Sequence, residues 1–127
     1  MRANRRISGA EIRFRKALWA EGARGFRRGE HLPGRPDIVF PAIRLAVFVH
    51  GCFWHRCPLC HLPEPKANAA FWRSKFLANA IRDDSSQAAL SSAGWAVLII
   101  WEHELRTDIR AAAVQLADTV RSRRGAA

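Results

Sequence analysis

A chain of 127 residues with 49% hydrophobic content is one domain built on a single core. Its 21 Lys and Arg against 11 Asp and Glu give a net charge of +10 and a pI near 11.3, a surface that favours phosphate-bearing partners. No apolar run approaches the length of a membrane span, and the three cysteines are odd in number and fall within nine residues, which argues against a secreted disulfide framework and points to an intracellular, cytoplasmic protein.

In chain order, Ser8 and Glu11 form a capping-box pattern ahead of a helix carrying Ile12, Ala17, Leu18 and Trp19, which ends at Gly22. Phe26 to Glu30 reads as a short strand, and His31 to Pro36 as a turn, because Pro-Gly and the residue before proline both resist helix. Asp37 to Phe40 and Ile43 to His50, rich in β-branched and aromatic residues, read as paired strands around Pro41-Ala42. A Cys/His loop runs on through Pro63 and Pro65. Asn68 then caps a long amphipathic helix with Phe71, Trp72, Phe76, Ile81 and Leu90, stopping near Gly94. The apolar run Trp95 to Trp101 predicts a buried central strand, and a last helix spans Thr107 to about Val120. Basic residues crowd both ends, with 1–7 reading as a short arm and 122–127 as a flexible tail. The order predicts a single α/β domain, residues 1–127, with a mixed sheet flanked by helices.

The loop from His50 to His61 carries every cysteine and three of the five histidines, with Phe53-Trp54 between them. Cys52, Cys57 and Cys60 supply three thiolates for a tetrahedral zinc ion, and either His61 nearby or the remote His103 completes the set. A remote ligand would tie the loop to the sheet. The bland alternative is three free thiols.

Asp37 begins a strand after Pro-Gly-Arg-Pro, where a carboxylate at a sheet edge would suit a hard cation that neutralises a phosphodiester. His50 and His55 are fitting bases near neutral pH. Singly, Asp37, His50, His55, Glu11 and Asp83 each have ordinary structural readings. Their joint occurrence around the loop favours chemistry.

Leu32-Pro33-Gly34-Arg35-Pro36-Asp37, His50-Gly51-Cys52-Phe53-Trp54-His55, Phe71-Trp72 with Asn79 and Arg82-Asp83, and Trp101-Glu102-His103-Glu104-Leu105 resemble the very short patch repair (Vsr) DNA mismatch endonucleases. The resemblance runs in order from about Met1 to Leu105. It implies a restriction-endonuclease-like fold with a structural zinc, and nicking of double-stranded DNA on the 5′ side of the thymine in a T·G mismatch. It also implies Mg²⁺ held by Asp37 and the backbone carbonyl of Val49, with Glu11 completing the acidic cluster through water. His55 would be the general base, and His50 and Asp83 would support the phosphate or its leaving oxygen. Phe53, Trp54 and Trp72 would intercalate beside the mismatch, and Lys75 and Asn79 would read its edge. Core packing is the ordinary alternative for the tryptophans.

For zinc, the resemblance favours Cys52, Cys57, Cys60 and His103. Cys60 falls where the family pattern has histidine, which leaves His61 as a rival. Met1 matches an arm methionine that inserts from the minor groove if one residue is deleted before Glu11. The expected enzyme acts as a monomer, near the nucleoid and alongside mismatch-repair proteins. Two other readings stand beside it: a related nuclease of restriction or mobile-element origin without T·G selectivity, and a non-catalytic zinc-stabilised DNA-binding module.

Overall fold

The computed structural model describes residues 9–125. Met1 and the capping residue Ser8 lie outside them. Helix α1 (Gly9–Ala20) turns Glu11, Phe14 and Leu18 inward at i, i+3 and i+7, the spacing of a single helical face. Strands β1 (Ile38–Phe40) and β2 (Leu45–His50) pair antiparallel, with Ile38 opposite Val47. They are joined by a 3-10 turn at Pro41–Ile43, closed by Arg44 in the left-handed conformation. Helix α2 (Ala69–Ser92) crosses over to β3 (Ala96–Trp101), which runs parallel to β2 with His50 opposite Trp101. Helix α3 (Glu102–Gly125) closes the described chain.

The expected mixed sheet flanked by helices is therefore present, as an α/β architecture with strand order β1-β2-β3. Alternation along the strands sorts the side chains between two layers. Ile38, Phe40, Leu45 and Val47 join Phe14, Leu18, Leu116 and Val120 under α1 and α3. Val39, Ala46 and Phe48 face the other way and pack with Leu90 of α2. Full burial of side chains such as Phe14, Phe40 and Leu45 stabilises the domain by roughly 1.5–3 kcal/mol each. The same alternation puts Asp37 and His50 on the α2 side of the sheet, and that face carries the site.

Several expectations are corrected. The central strand is β2; β3 pairs on one side only among the described residues, because the hairpin occupies the other edge of β2. The strand expected at Phe26 to Glu30 shrinks to one bridge, Arg27 with Val39, since β1 has only three residues to pair with. Helix α2 is less amphipathic than its sequence suggests: Phe76 and Leu90 are buried, whereas Phe71 and Ile81 are exposed. Asn68 stands at its N-cap in the left-handed conformation and makes no side-chain capping bond.

The last helix starts at Glu102, because Glu104 reaches back to accept the Trp101 N–H at 2.9 Å. Asp108 is extended (φ −160°) and interrupts it, and its carboxylate accepts the Ala111 N–H at 3.0 Å as the cap of a second segment. Residues 122–125, expected as tail, continue that helix. Arg123 and Arg124 donate to the carbonyls of Ile43 and Arg24 and tie its end to the body.

Candidate active site and metal centre

Asp37, Val49, His50, His55 and Asp83 line one cleft of about 760 Å³, together with Arg28, Gly34, Ser86 and Gln87. The turn before β1 reaches α2 through Gly34, whose φ is +74° and where a Cβ would lie 2.7 Å from that of Ser86. Any side chain there would force the two walls apart.

Asp37 accepts the Val49 N–H at 2.7 Å, and Arg15 donates to its carbonyl at 2.9 Å. Burial, the largest influence, raises the Asp37 carboxyl to about 6. The Val49 N–H opposes this, neighbouring Glu11 adds to it, and Arg28 and Arg15 pull the other way. Glu11 is itself buried and bound by Arg15 at 3.2 Å. The two acids, which act on each other electrostatically, offer hard oxygens of the kind Mg²⁺ takes.

His55 comes from the loop and Asp83 from α2. The His55 Nδ1 lies 2.6 Å from the Asp83 carboxylate, and the His50 ring stacks on His55 at 3.8 Å between centroids. Burial first, and then His55, push the His50 imidazole down to about 4, against the pull of Asp83, so His50 is neutral at physiological pH. An imidazole oriented by a carboxylate is the arrangement of a general base. Sequence reasoning found all three residues but not the pairing of His55 with Asp83. It also missed Ser86 and Gln87, which helical spacing from Asp83 places on the same face, and Arg28.

A second cluster brings His103, rather than His61, to the three cysteines. The sulfurs of Cys52, Cys57 and Cys60 lie 3.4, 3.6 and 3.4 Å from the His103 Nδ1, and the four donors could hold a metal ion. His61 is exposed and outside this group. For the Cys57 thiol, burial pushes the pKa up, but hydrogen bonds from the backbone of Leu59 and Cys60 and from the other thiols outweigh it, so the net direction is down, toward the thiolate. His103, just past the end of β3, connects the loop to the sheet through these contacts.

Beside the cleft, Phe53, Trp54, Trp72 and Phe76 form one aromatic cluster with neighbouring centroids 5.4–5.9 Å apart. Phe76 was read from sequence only as a helix-face residue. Trp54 stays 45% exposed, whereas Phe53 and Trp72 are half-buried. The Asn79 amide donates to the Trp54 carbonyl at 3.3 Å, and Lys75 is exposed with its ammonium 6.0 Å from the Phe71 ring.

Residues 1–60 match the family model described as DNA mismatch endonuclease Vsr. The chain is 44% identical over 121 residues to the type II nicking enzyme V.NaeI of Lentzea aerocolonigenes, covering 90% of this chain and 72% of that one. It is 43% identical over 97 residues to V.XorIIP of Xanthomonas oryzae pv. oryzae, covering 75% and 70%. It is 37% identical over 101 residues to the DNA mismatch endonuclease Vsr of Escherichia coli, covering 80% and 65%. A cleft of carboxylates and imidazoles with such relatives defines a DNA endonuclease. More particularly, the chain belongs to the Vsr family.

Proposed function

We propose that this endonuclease nicks one strand of double-stranded DNA on the 5′ side of the thymine in a T·G mismatch, with Mg²⁺ as catalytic cofactor and Zn²⁺ as a structural ion. The observation that carries the reading is one cleft lined by Asp37, His50, His55 and Asp83, flanked by an aromatic cluster with an exposed tryptophan. We infer the restriction-endonuclease-like fold from the mixed sheet with its acid at the start of a strand. The working unit in this reading is a monomer in the cytoplasm, followed on DNA by mismatch-repair proteins.

Asp37, the Val49 carbonyl and, through water, Glu11 would hold Mg²⁺. When bound, the ion neutralises charge on the scissile phosphate. His55 takes the proton from the attacking water as the new P–O bond forms and the bond to the leaving sugar oxygen breaks. Asp83 fixes the His55 ring and stabilises the imidazolium that results. His50, neutral and stacked on His55, offers a donor to the phosphate without adding a charge beside it.

Phe53, Trp54 and Trp72 would wedge beside the mismatch, while Lys75 and Asn79 approach its edge; Met1, outside the described residues, would act from the minor groove. Unstacking a base step costs on the order of a few kcal/mol, less where a wobble pair already weakens it. Selection then rests on deformation as well as contact. V.NaeI and V.XorIIP carry the name nicking enzyme, which supports scission of a single strand.

The deciding experiment is strand-resolved cleavage of a T·G duplex and its T·A control, with and without Mg²⁺. Mg²⁺-dependent nicking of the T·G strand alone is expected. Equal cutting of both duplexes would favour a nuclease without mismatch selectivity. Binding without any cutting would favour a non-catalytic zinc-stabilised module.

A further inference from the structure

The cleft holds a cation that none of these steps uses. Arg28 lines its wall between two acids, with Nε 3.9 Å from Glu11 and Nη1 3.6 Å from Glu30. Both separations exceed hydrogen-bonding distance. The Arg28 Nε is the one buried side-chain donor without a hydrogen-bond partner among the described residues. Leaving a buried donor unmet costs roughly 1–3 kcal/mol, and more when it is charged. A guanidinium present only to balance Glu11 would close onto it, as Arg15 does at 3.2 Å.

The backbone holds Arg28 in this position from both sides. Arg27 and Val39 exchange two hydrogen bonds, at 3.0 and 2.7 Å, and the Gly29 N–H donates to the Pro36 carbonyl at 3.0 Å. A Cβ on Gly29 would sit 2.7 Å from Val39 and 3.2 Å from Pro36, so the strand-like segment passes β1 as closely as glycine allows. The Arg28 side chain is only 27% exposed as a result. Its charge also acts directly on Asp37.

We propose that Arg28 anchors a second anion subsite in the cleft, which takes a non-scissile phosphate of the DNA backbone beside the one that is cut. The planar fork of a guanidinium matches two phosphate oxygens. The facing wall supplies neutral partners, the Ser86 hydroxyl and the Gln87 amide, from the same helix face as Asp83. Glu11 and Glu30 orient Arg28 without consuming its donors. A phosphate entering the subsite meets the part of Arg28 that lines the cleft. This rests on the scissile phosphate lying between Asp37 and His55, since only then is Arg28 one step along the strand.

The test is duplex binding by fluorescence anisotropy over a series of NaCl concentrations, without Mg²⁺ so that no cleavage intervenes. Wild type is compared with Arg28→Ala and Arg28→Lys, each checked for thermal stability and zinc content. Arg28→Ala is expected to weaken binding about tenfold or more. It should also lower the slope of log K against log salt by about 0.9, the signature of one lost phosphate contact. Arg28→Lys should keep the slope while binding more weakly. If Arg28→Ala does not fold, Arg28→Gln replaces it, with the same loss of slope expected. An unchanged slope with affinity within about twofold of wild type would overturn the subsite, as would a loss confined to the nicking rate. Wild type that binds with this slope but does not nick once Mg²⁺ is added would instead overturn the endonuclease mechanism and leave the Arg28 contact standing.

Discussion

Asp83 and His55, 28 positions apart in the chain, meet at 2.6 Å across the gap between α2 and the Cys/His loop. The contact fixes which imidazole nitrogen faces the carboxylate and leaves the other for the cleft. Asp83→Asn keeps the shape but removes the charge that stabilises the imidazolium. Single-turnover nicking should fall by about 10²–10⁴-fold. DNA affinity, read by anisotropy, should stay near that of wild type. A variant that nicks at the wild-type rate would show that His55 needs no orienting partner.

Asp37 and His50 predict opposing pH effects on stability. The Asp37 carboxyl is raised to about 6 from 3.8, so its contribution is greatest in acid and is lost as pH rises through that window. His50 is lowered to about 4 from 6.5, so its contribution is lost as pH falls from 6.5 toward 4. In wild type the two largely cancel. Asp37→Asn should therefore destabilise on acidification across this window, and His50→Asn should stabilise. Thermal melts at pH 4.5 and 7, without divalent cation, compare them; parallel behaviour of both variants would refute the assignment.

Without metal the Asp37 carboxyl takes its proton near pH 6, so protons compete with Mg²⁺ for it, and the acid limb of nicking should move to lower pH as Mg²⁺ is raised. Asp37→Asn should abolish nicking at every pH while DNA binding survives. An acid limb that does not move with Mg²⁺ concentration would place the essential acid elsewhere.

The Cys52, Cys57, Cys60 and His103 cluster predicts a sharp contrast between two histidines. Cys57→Ser and His103→Ala should each lose bound zinc and melt at lower temperature, because metal binding and folding are linked in such sites. His61→Ala should change neither property. Elemental analysis alongside calorimetry reads both at once, and zinc loss in the His61 variant alone would reverse the ligand assignment.

Trp54 is the exposed member of the aromatic cluster. Stacking on a base contributes roughly 1–3 kcal/mol. Trp54→Ala should therefore narrow the T·G over T·A preference by about tenfold or more while leaving the melting temperature within a few degrees of wild type. Phe76→Ala, deleting a buried ring, should lower the melting temperature instead.

The hairpin, the carboxylate at its start and the thiolate loop were legible in the sequence because local chemistry decides them. β-branched runs flank Pro41-Ala42, and a Pro-Gly turn precedes Asp37. What was hidden depends on contacts between distant segments. The apolar run at β3 looked central because its composition resembles a strand covered on both sides, yet β2 takes that place through pairing with two partners. Pairing of His55 with Asp83, and the enclosure of Arg28 by Glu11 and Glu30, required the crossover of α2 and the close pass of Gly29. The break at Asp108 is a capping event that helical periodicity conceals.

Helix α2 carries Trp72 and Asp83 on one continuous rod. Eleven residues of helix separate the aromatic wedge from the carboxylate, a rise of roughly 16 Å at 1.5 Å per residue. In the proposed mechanism the rod would act as a ruler between inspection and cutting. Adding a single residue within it would swing one end by about 100° relative to the other. A protein so altered would retain every side chain named above and still lose the ability to inspect and cut the same strand.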